Sequence, residues 1–293
     1  MLAEEKLDAV DILTPPDTHA DLAIQAMQHG CHCLMEKPLT ITTTDADRVV
    51  KVAKGTGLGL FVTHNLSFFP GMRRAKTMVA SGAVGKLVSV HVRFITSIRR
   101  ERYFEPGHWC HHLPGGIFSD LSPHLAMMLV ELLDDISCVK AVTKKVSDYP
   151  HITADELEVM VEAGNGLGSF ALSYNSPLTR FTIDMVGTKM SLSVNDSQIV
   201  VCHKPVTGYK TVGSFIEGIP RGLGVLSEIF QQLAGLSSTT VSTILGRYNY
   251  LEGHRYLIEA ALDNIRGERT YPVDIGKCRE VVRILEEAFG SLK

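Results

Sequence analysis

Cys31-His32-Cys33-Leu34-Met35-Glu36-Lys37-Pro38 decides how this chain is read: residues 31–35 suit a short strand, and the charged pair with its proline ends the ladder. Upstream, Ala9-Val10-Asp11-Ile12-Leu13 has the same character and is broken by Thr14-Pro15-Pro16. Between the two runs, Leu22, Ala23, Ala26 and Met27 fall at helical spacing. Asp17 or Thr18 is placed to cap that helix, and Gly30 stands where a left-handed residue closes it. Downstream, Ala46, Val49, Val50 and Ala53 predict a helix over 43–54, Gly55-Thr56-Gly57 turns the chain, and Leu58 to Thr63 reads as a third strand. The order β-α-β-α-β predicts parallel strands with right-handed crossovers.

Past Asn65 the pattern changes to longer alternating strands, such as 88–94, 156–161 and 168–174, separated by glycine-rich turns, which predicts a largely antiparallel sheet. Helices are expected over 70–81, from about Ser122-Pro123 with Leu125, Met128, Leu129 and Leu132 on one stripe, and behind Asp274 with Val281, Val282, Leu285 and Phe289. The expected division is 1–65, a nucleotide-type α/β unit, and 66–293, an α+β unit for substrate binding and oligomerisation.

The length of 293 residues and 45% hydrophobic content allow a core of that size, and 29 basic against 32 acidic residues leave no electrostatic footprint for nucleic acid. The uncharged stretch around 229–246 is rich in Gln, Ser and Thr, so no membrane partner is expected. Met1-Leu2-Ala3-Glu4-Glu5-Lys6 is charged where a secretory segment is apolar, which points to the cytoplasm and to six free thiols. Cys31 and Cys33, two apart in a strand, read as buried thiols. The group His108, Cys110, His111 and His112 reads as a pocket-lining loop rather than a metal site, because alternate residues of a short loop rarely converge on one tetrahedron. Arg283 with Glu287 reads as a solvated helix face.

Two clusters carry chemistry. Lys37 follows a parallel strand, at the end where open α/β sheets bind ligands, and can hydrogen-bond a substrate hydroxyl or exchange a proton with it. Within Gly115-Gly116-Ile117-Phe118-Ser119-Asp120-Leu121-Ser122-Pro123-His124, Asp120 and His124 are four apart at a helix entry. The carboxylate can orient or charge the imidazole there, or merely cap its own helix.

In order, Thr14-Pro15-Pro16 with His19, Glu36-Lys37-Pro38, Asn65 with Phe69-Pro70, Ser81-Gly82-Ala83-Val84-Gly85, Gly115-Gly116 with Asp120 and His124, and Tyr271-Pro272-Val273 resemble the Gfo/Idh/MocA family of NAD(P)-dependent oxidoreductases. The resemblance implies a partial Rossmann domain followed by an α+β domain with a large open sheet. It implies Lys37 as catalytic lysine, a cis Lys37-Pro38 bond, and Asp120 and His124 as its substrate-side partners. It places Thr14, Pro15, Pro16, His19, Glu36, Lys37, Pro38, Asn65 and Trp109 at the cofactor, NAD or NADP, with no metal. The sequence departs from the family at Ser122, Met127 and Cys110, where glycine, an acid and arginine are usual, and it has no G-x-G-x-x-G. Gly55-x-Gly57-x-Gly59 follows a helix and precedes a strand, the reverse of the required order. The expectation is an N-terminally truncated or mis-started member lacking a βαβαβ half of roughly 60 to 70 residues, and so binding dinucleotide weakly.

The expected reaction moves a hydride between nicotinamide and a carbinol or carbonyl carbon of a sugar, cyclitol or related polyol, in a homodimer or homotetramer. NAD-dependent glycoside cleavage without net redox, and a non-catalytic family member, stay open as alternatives.

Overall fold

The computed structural model describes residues 2, 4–99, 102–196, 200–203, 226, 228–231, 233–234 and 252–292. β1 (Ala9–Ile12), β2 (His32–Glu36) and β3 (Leu60–Thr63) form a parallel three-stranded sheet in sequence order, pairing Ile12 with Met35 and Glu36 with Thr63. The crossovers are α1 (His19–Gln28) and α2 (Thr43–Thr56). α1 ends before Gly30 at φ +84°, as the sequence predicts. Its start differs: a 3-10 turn (Pro16–Thr18) precedes it, and Thr18 Oγ1 donates to Pro15 O at 2.8 Å instead of capping the helix. α2 is capped by Thr42, whose hydroxyl accepts from Asp45 N at 3.1 Å. Cys31 and Cys33 are buried, and burial pushes the Cys33 thiol up to about 12.

After α3 (Pro70–Ala80), seven strands form one sheet in the order β10-β9-β8-β4-β7-β6-β5. They are β4 (Leu87–Ser97), β5 (Cys138–Lys144), β6 (Glu156–Ala163), β7 (Gly166–Ser173), β8 (Asn175–Gly187), β9 (Ser191–Asn195) and β10 (Val200–His203). All neighbours are antiparallel except β4 and β7. α4 (Phe118–Leu132) lies on the inner face, and every residue from Ser122 to Val130 is buried, because this helix has apolar contacts all round. It begins before the expected Ser122-Pro123, which places Pro123 inside it.

The outer face of this sheet is mixed rather than apolar, with cross-strand rows of Asp184, His91, Ser169, Met160 and Lys140, and of Thr182, Arg93, Ala171, Glu158 and Val142.

The C-terminal helices return to the first sheet. α5 (Glu252–Ile265) sits on the turn after β3. α6 (Ile275–Gly290), capped by Asp274, packs beside α2 and α4, with Arg279 bonded to both oxygens of Asp47 at 2.8 and 3.1 Å. Arg283 pairs with Glu287 as read, but its Nη2 also donates to Ile136 O at 2.7 Å, tying α6 to the approach to β5. No helix among the described residues is long and apolar enough to cross a membrane.

Candidate active site

Three strand ends stand side by side, because the parallel register brings the residues following β1, β2 and β3 to one edge. Thr14, Glu36 and Asn65 therefore stand together at the edge outside the carboxyl ends of the strands, where open α/β sheets form their ligand crevice. Gly55, Gly57 and Gly59 lie before β3, at the opposite end.

Lys37 leaves this edge through a cis Lys37-Pro38 peptide and reaches α4. Its Nζ donates to Asp120 O at 2.7 Å and to Asp120 Oδ1, while the Tyr103 hydroxyl donates to Asp120 Oδ2 at 2.6 Å. Burial alone pushes the Asp120 carboxyl up, but the Lys37 charge and the hydrogen bonds from Lys37 and Tyr103 outweigh it and hold the carboxyl below its usual range. Both carboxylate oxygens are thus engaged away from His124. Asp120 aims the lysine, not the imidazole, and neither does its side chain cap α4.

His124, one turn further along α4, is buried with no partner at Nδ1 among the described residues. Burial, reinforced by the charge of Lys37, holds its pKa well below the ordinary value, so the ring is a neutral proton acceptor at neutral pH. His64 lies edge-on to it with ring centroids 6.5 Å apart, wholly buried and, among the described residues, without a partner at either nitrogen, and burial followed by the Lys37 charge pushes it down to about 3.

Of the residues expected at a cofactor, Thr14 and Pro15 are exposed at the crevice rim, Glu36 is half-buried and Asn65 buried. His19 and Pro38 are buried: His19 is 0% exposed, with its ring nitrogens 2.8 Å from Pro38 O and 2.9 Å from Thr14 O. It ties two strand-end loops together beneath the crevice, and Pro16 is buried beside it. Trp109 stands on a 3-10 turn (Trp109–His112), its ring 5.4 Å from that of His108, which in turn lies 5.2 Å from Tyr103. Around it, Cys110 is buried with Sγ 3.0 Å from His108 Nδ1, and His111 Nε2 lies 3.0 Å from Glu105 O.

Tyr103, His64 and His254 escaped the sequence reading. His64 had a signal, since it stands between Thr63 and Asn65 at a strand end; Tyr103 and His254 reach the site only through tertiary packing. His254 Nδ1 is 3.2 Å from Asn65 Nδ2, and its Nε2 is 3.9 Å from Glu36 Oε1.

A parallel βαβαβ unit followed by an α+β unit, with Lys37 at a strand end facing a buried imidazole, defines a class of two-part α/β proteins. Residues 1–64 match the model described as oxidoreductase family, NAD-binding Rossmann fold, and residues 72–193 match the GFO/IDH/MocA C-terminal domain. The chain belongs to the Gfo/Idh/MocA oxidoreductase family. It is 30% identical over 158 residues to an uncharacterized oxidoreductase of Schizosaccharomyces pombe, covering 53% of this chain and 42% of that one. It is 27% identical over 227 residues to scyllo-inositol 2-dehydrogenase (NAD(+)) of Bacillus subtilis, covering 75% and 63%. In each case it spans less than two thirds of the relative's length. Its fold superposes on the WlbA dehydrogenase of Bordetella pertussis, solved with NADH and UDP-GlcNAcA, with TM-score 0.77 and 20% identity, over 99% of this chain and 79% of that one.

Proposed function

We propose that these residues form the nicotinamide and substrate side of an oxidoreductase that moves a hydride between NAD or NADP and a carbinol or carbonyl carbon of a sugar, cyclitol or related polyol. The observation that carries this reading is the Lys37–Asp120–Tyr103 group, held at a strand-end crevice beside a neutral imidazole. The donor set fits a nicotinamide: Thr14, Pro15, Glu36, Lys37 and Asn65 would hold it, and the unpartnered nitrogens of His64 and His124 mark polar space beside Lys37. The dinucleotide supplies hydride acceptance at C4 when bound.

The chain's own work is proton and charge management. In the oxidative direction the carbinol C–H bond gives up its hydride while His124 takes the hydroxyl proton, leaving a carbonyl. The Lys37 ammonium hydrogen-bonds the substrate oxygen as negative charge develops on it, which is an interaction strongest in the transition state. Asp120 directs that ammonium, and Tyr103 fixes the other oxygen of Asp120. The domain division at residue 65, with the second unit binding substrate and joining subunits, belongs to the same proposal.

The test is NADH or NADPH formation across a panel of cyclitols, sugars and nucleotide sugars. Steady formation on at least one supports the reading. Product release with no net reduced nucleotide favours glycoside cleavage, and silence from a folded protein that binds no dinucleotide overturns it.

A further inference from the structure

α5 lies outside both segments that carry the candidate site, yet it is seated against the turn after β3. A Cβ on Gly253 would stand 2.3 Å from Asn65 O, Arg73 pairs with Glu252 at 3.3 Å, and Tyr256 stacks on Phe68 with centroids 5.5 Å apart. This seating inserts His254 between two crevice residues, with Nδ1 3.2 Å from Asn65 Nδ2 and Nε2 3.9 Å from Glu36 Oε1.

A neutral imidazole has one N–H donor and one acceptor nitrogen, and its surroundings choose which is which. With the hydrogen on Nδ1, the lone pair of Nε2 would face the Glu36 carboxylate. With the hydrogen on Nε2, the N–H dipole points at that carboxylate and Nδ1 is left to accept. An acceptor at Nδ1 calls for a donor opposite, and the Asn65 amide offers one only at Nδ2. The choice made by Glu36 therefore reaches Asn65: its amide turns NH2 toward α5 and leaves Oδ1 available. Among the described residues nothing donates to Oδ1.

We propose that Glu36, His254 and Asn65 form a relay of hydrogen-bond polarity in which His254 is a positioning residue, making Asn65 present its carbonyl oxygen to the carboxamide NH2 of a nicotinamide. The proposal rests on the dinucleotide reading above and adds a determinant of ring orientation from a helix outside the Rossmann unit. The reversed amide would set NH2 against NH2 and lose that bond.

Two measurements on the full chain test it. Long-range proton–nitrogen NMR correlations of histidine-labelled protein should show His254 as the Nε2–H tautomer, shifting toward Nδ1–H in Glu36→Gln. NADH titration by fluorescence should show His254→Leu weakening binding about three- to tenfold, the range of one hydrogen bond, and His254→Asn, whose Oδ1 replaces the accepting Nδ1, within about twofold of wild type. An Nδ1–H tautomer in the wild type, unchanged binding in His254→Leu, or no recovery in His254→Asn overturns the relay. An Nε2–H tautomer with no NADH binding by any form refutes the dinucleotide reading itself and reduces the three residues to a structural clamp.

Discussion

Replacing Lys37 by Met keeps the aliphatic stem and removes the charge, so its consequences can be worked from the contacts. The ammonium makes two bonds to Asp120, one to the backbone oxygen and one to the carboxylate, with side-chain exposures of 11% for Lys37 and 28% for Asp120. Hydrogen bonds to charged groups contribute about 1.5–3 kcal/mol each, and partial exposure discounts the pair, so the variant should lose about 2–3 kcal/mol of stability. For a chain of this size that lowers Tm by about 3–5 °C. The acid side should change too. The folded pKa of Asp120 lies below its unfolded value, so its contribution is present above the unfolded pKa and is lost as pH falls through the folded pKa. Without Lys37 much of that acid-range loss should disappear. The rate effect is separate: removing one electrostatic donor to a developing oxyanion costs on the order of 10² to 10³ in kcat. The assay is NAD(P)H formation at a temperature where circular dichroism shows the variant folded, with calorimetry for stability. A variant that melts as calculated but keeps more than about a tenth of wild-type kcat, far less than the loss of such a donor, would refute the catalytic role and leave Lys37 a structural cation.

His64 is neutral when folded and pushed down to about 3, so the unfolded chain binds the extra proton first, and stability should fall as pH drops from about 6.5 toward 3 by up to about 1.4 kcal/mol per pH unit. In urea titrations His64→Phe should flatten that slope, and an unchanged slope would contradict the assignment. Gly253→Ala places a Cβ 2.3 Å from Asn65 O, a backbone atom that cannot swing aside, so this variant should lose about 1–3 kcal/mol and hydrogen exchange should quicken in α5 first. Because the outer rows of the large sheet carry His91, Arg93, Glu158 and Asp184, association through that face should weaken with salt; light scattering should show a dimer or tetramer at low salt, and a monodisperse monomer at high micromolar concentration would contradict it.

What was legible in the sequence depended on distance along the chain. The first three strands, α1 to α3 and α6 are written in local periodicity, and Gly30 and Asp274 mark the end of α1 and the start of α6 as expected. Lys37 and His124 were legible because a strand end and a helix start have predictable orientations. The partner of Asp120 was not: local spacing places His124 within reach, but the choice of Lys37 follows from how the first sheet meets α4. Tyr103 arrives from an irregular loop with no periodic signal. His254 lies 189 residues from Asn65, and only the Cβ-free surface of Gly253 allows that approach. The tie that His19 makes between two strand-end loops was not legible either, since a polar residue after a strand-end proline reads equally well as a ligand contact or as a buried link.

The most direct test of the account follows the hydride itself. The protein should be incubated with NAD or NADP and polyols deuterated at their carbinol carbons, and the nicotinamide examined by proton NMR. The account predicts deuterium at C4 of the reduced ring, one per carbonyl formed, with His124→Ala slowing its arrival. Carbonyl formation with no deuterium on the nicotinamide would contradict it.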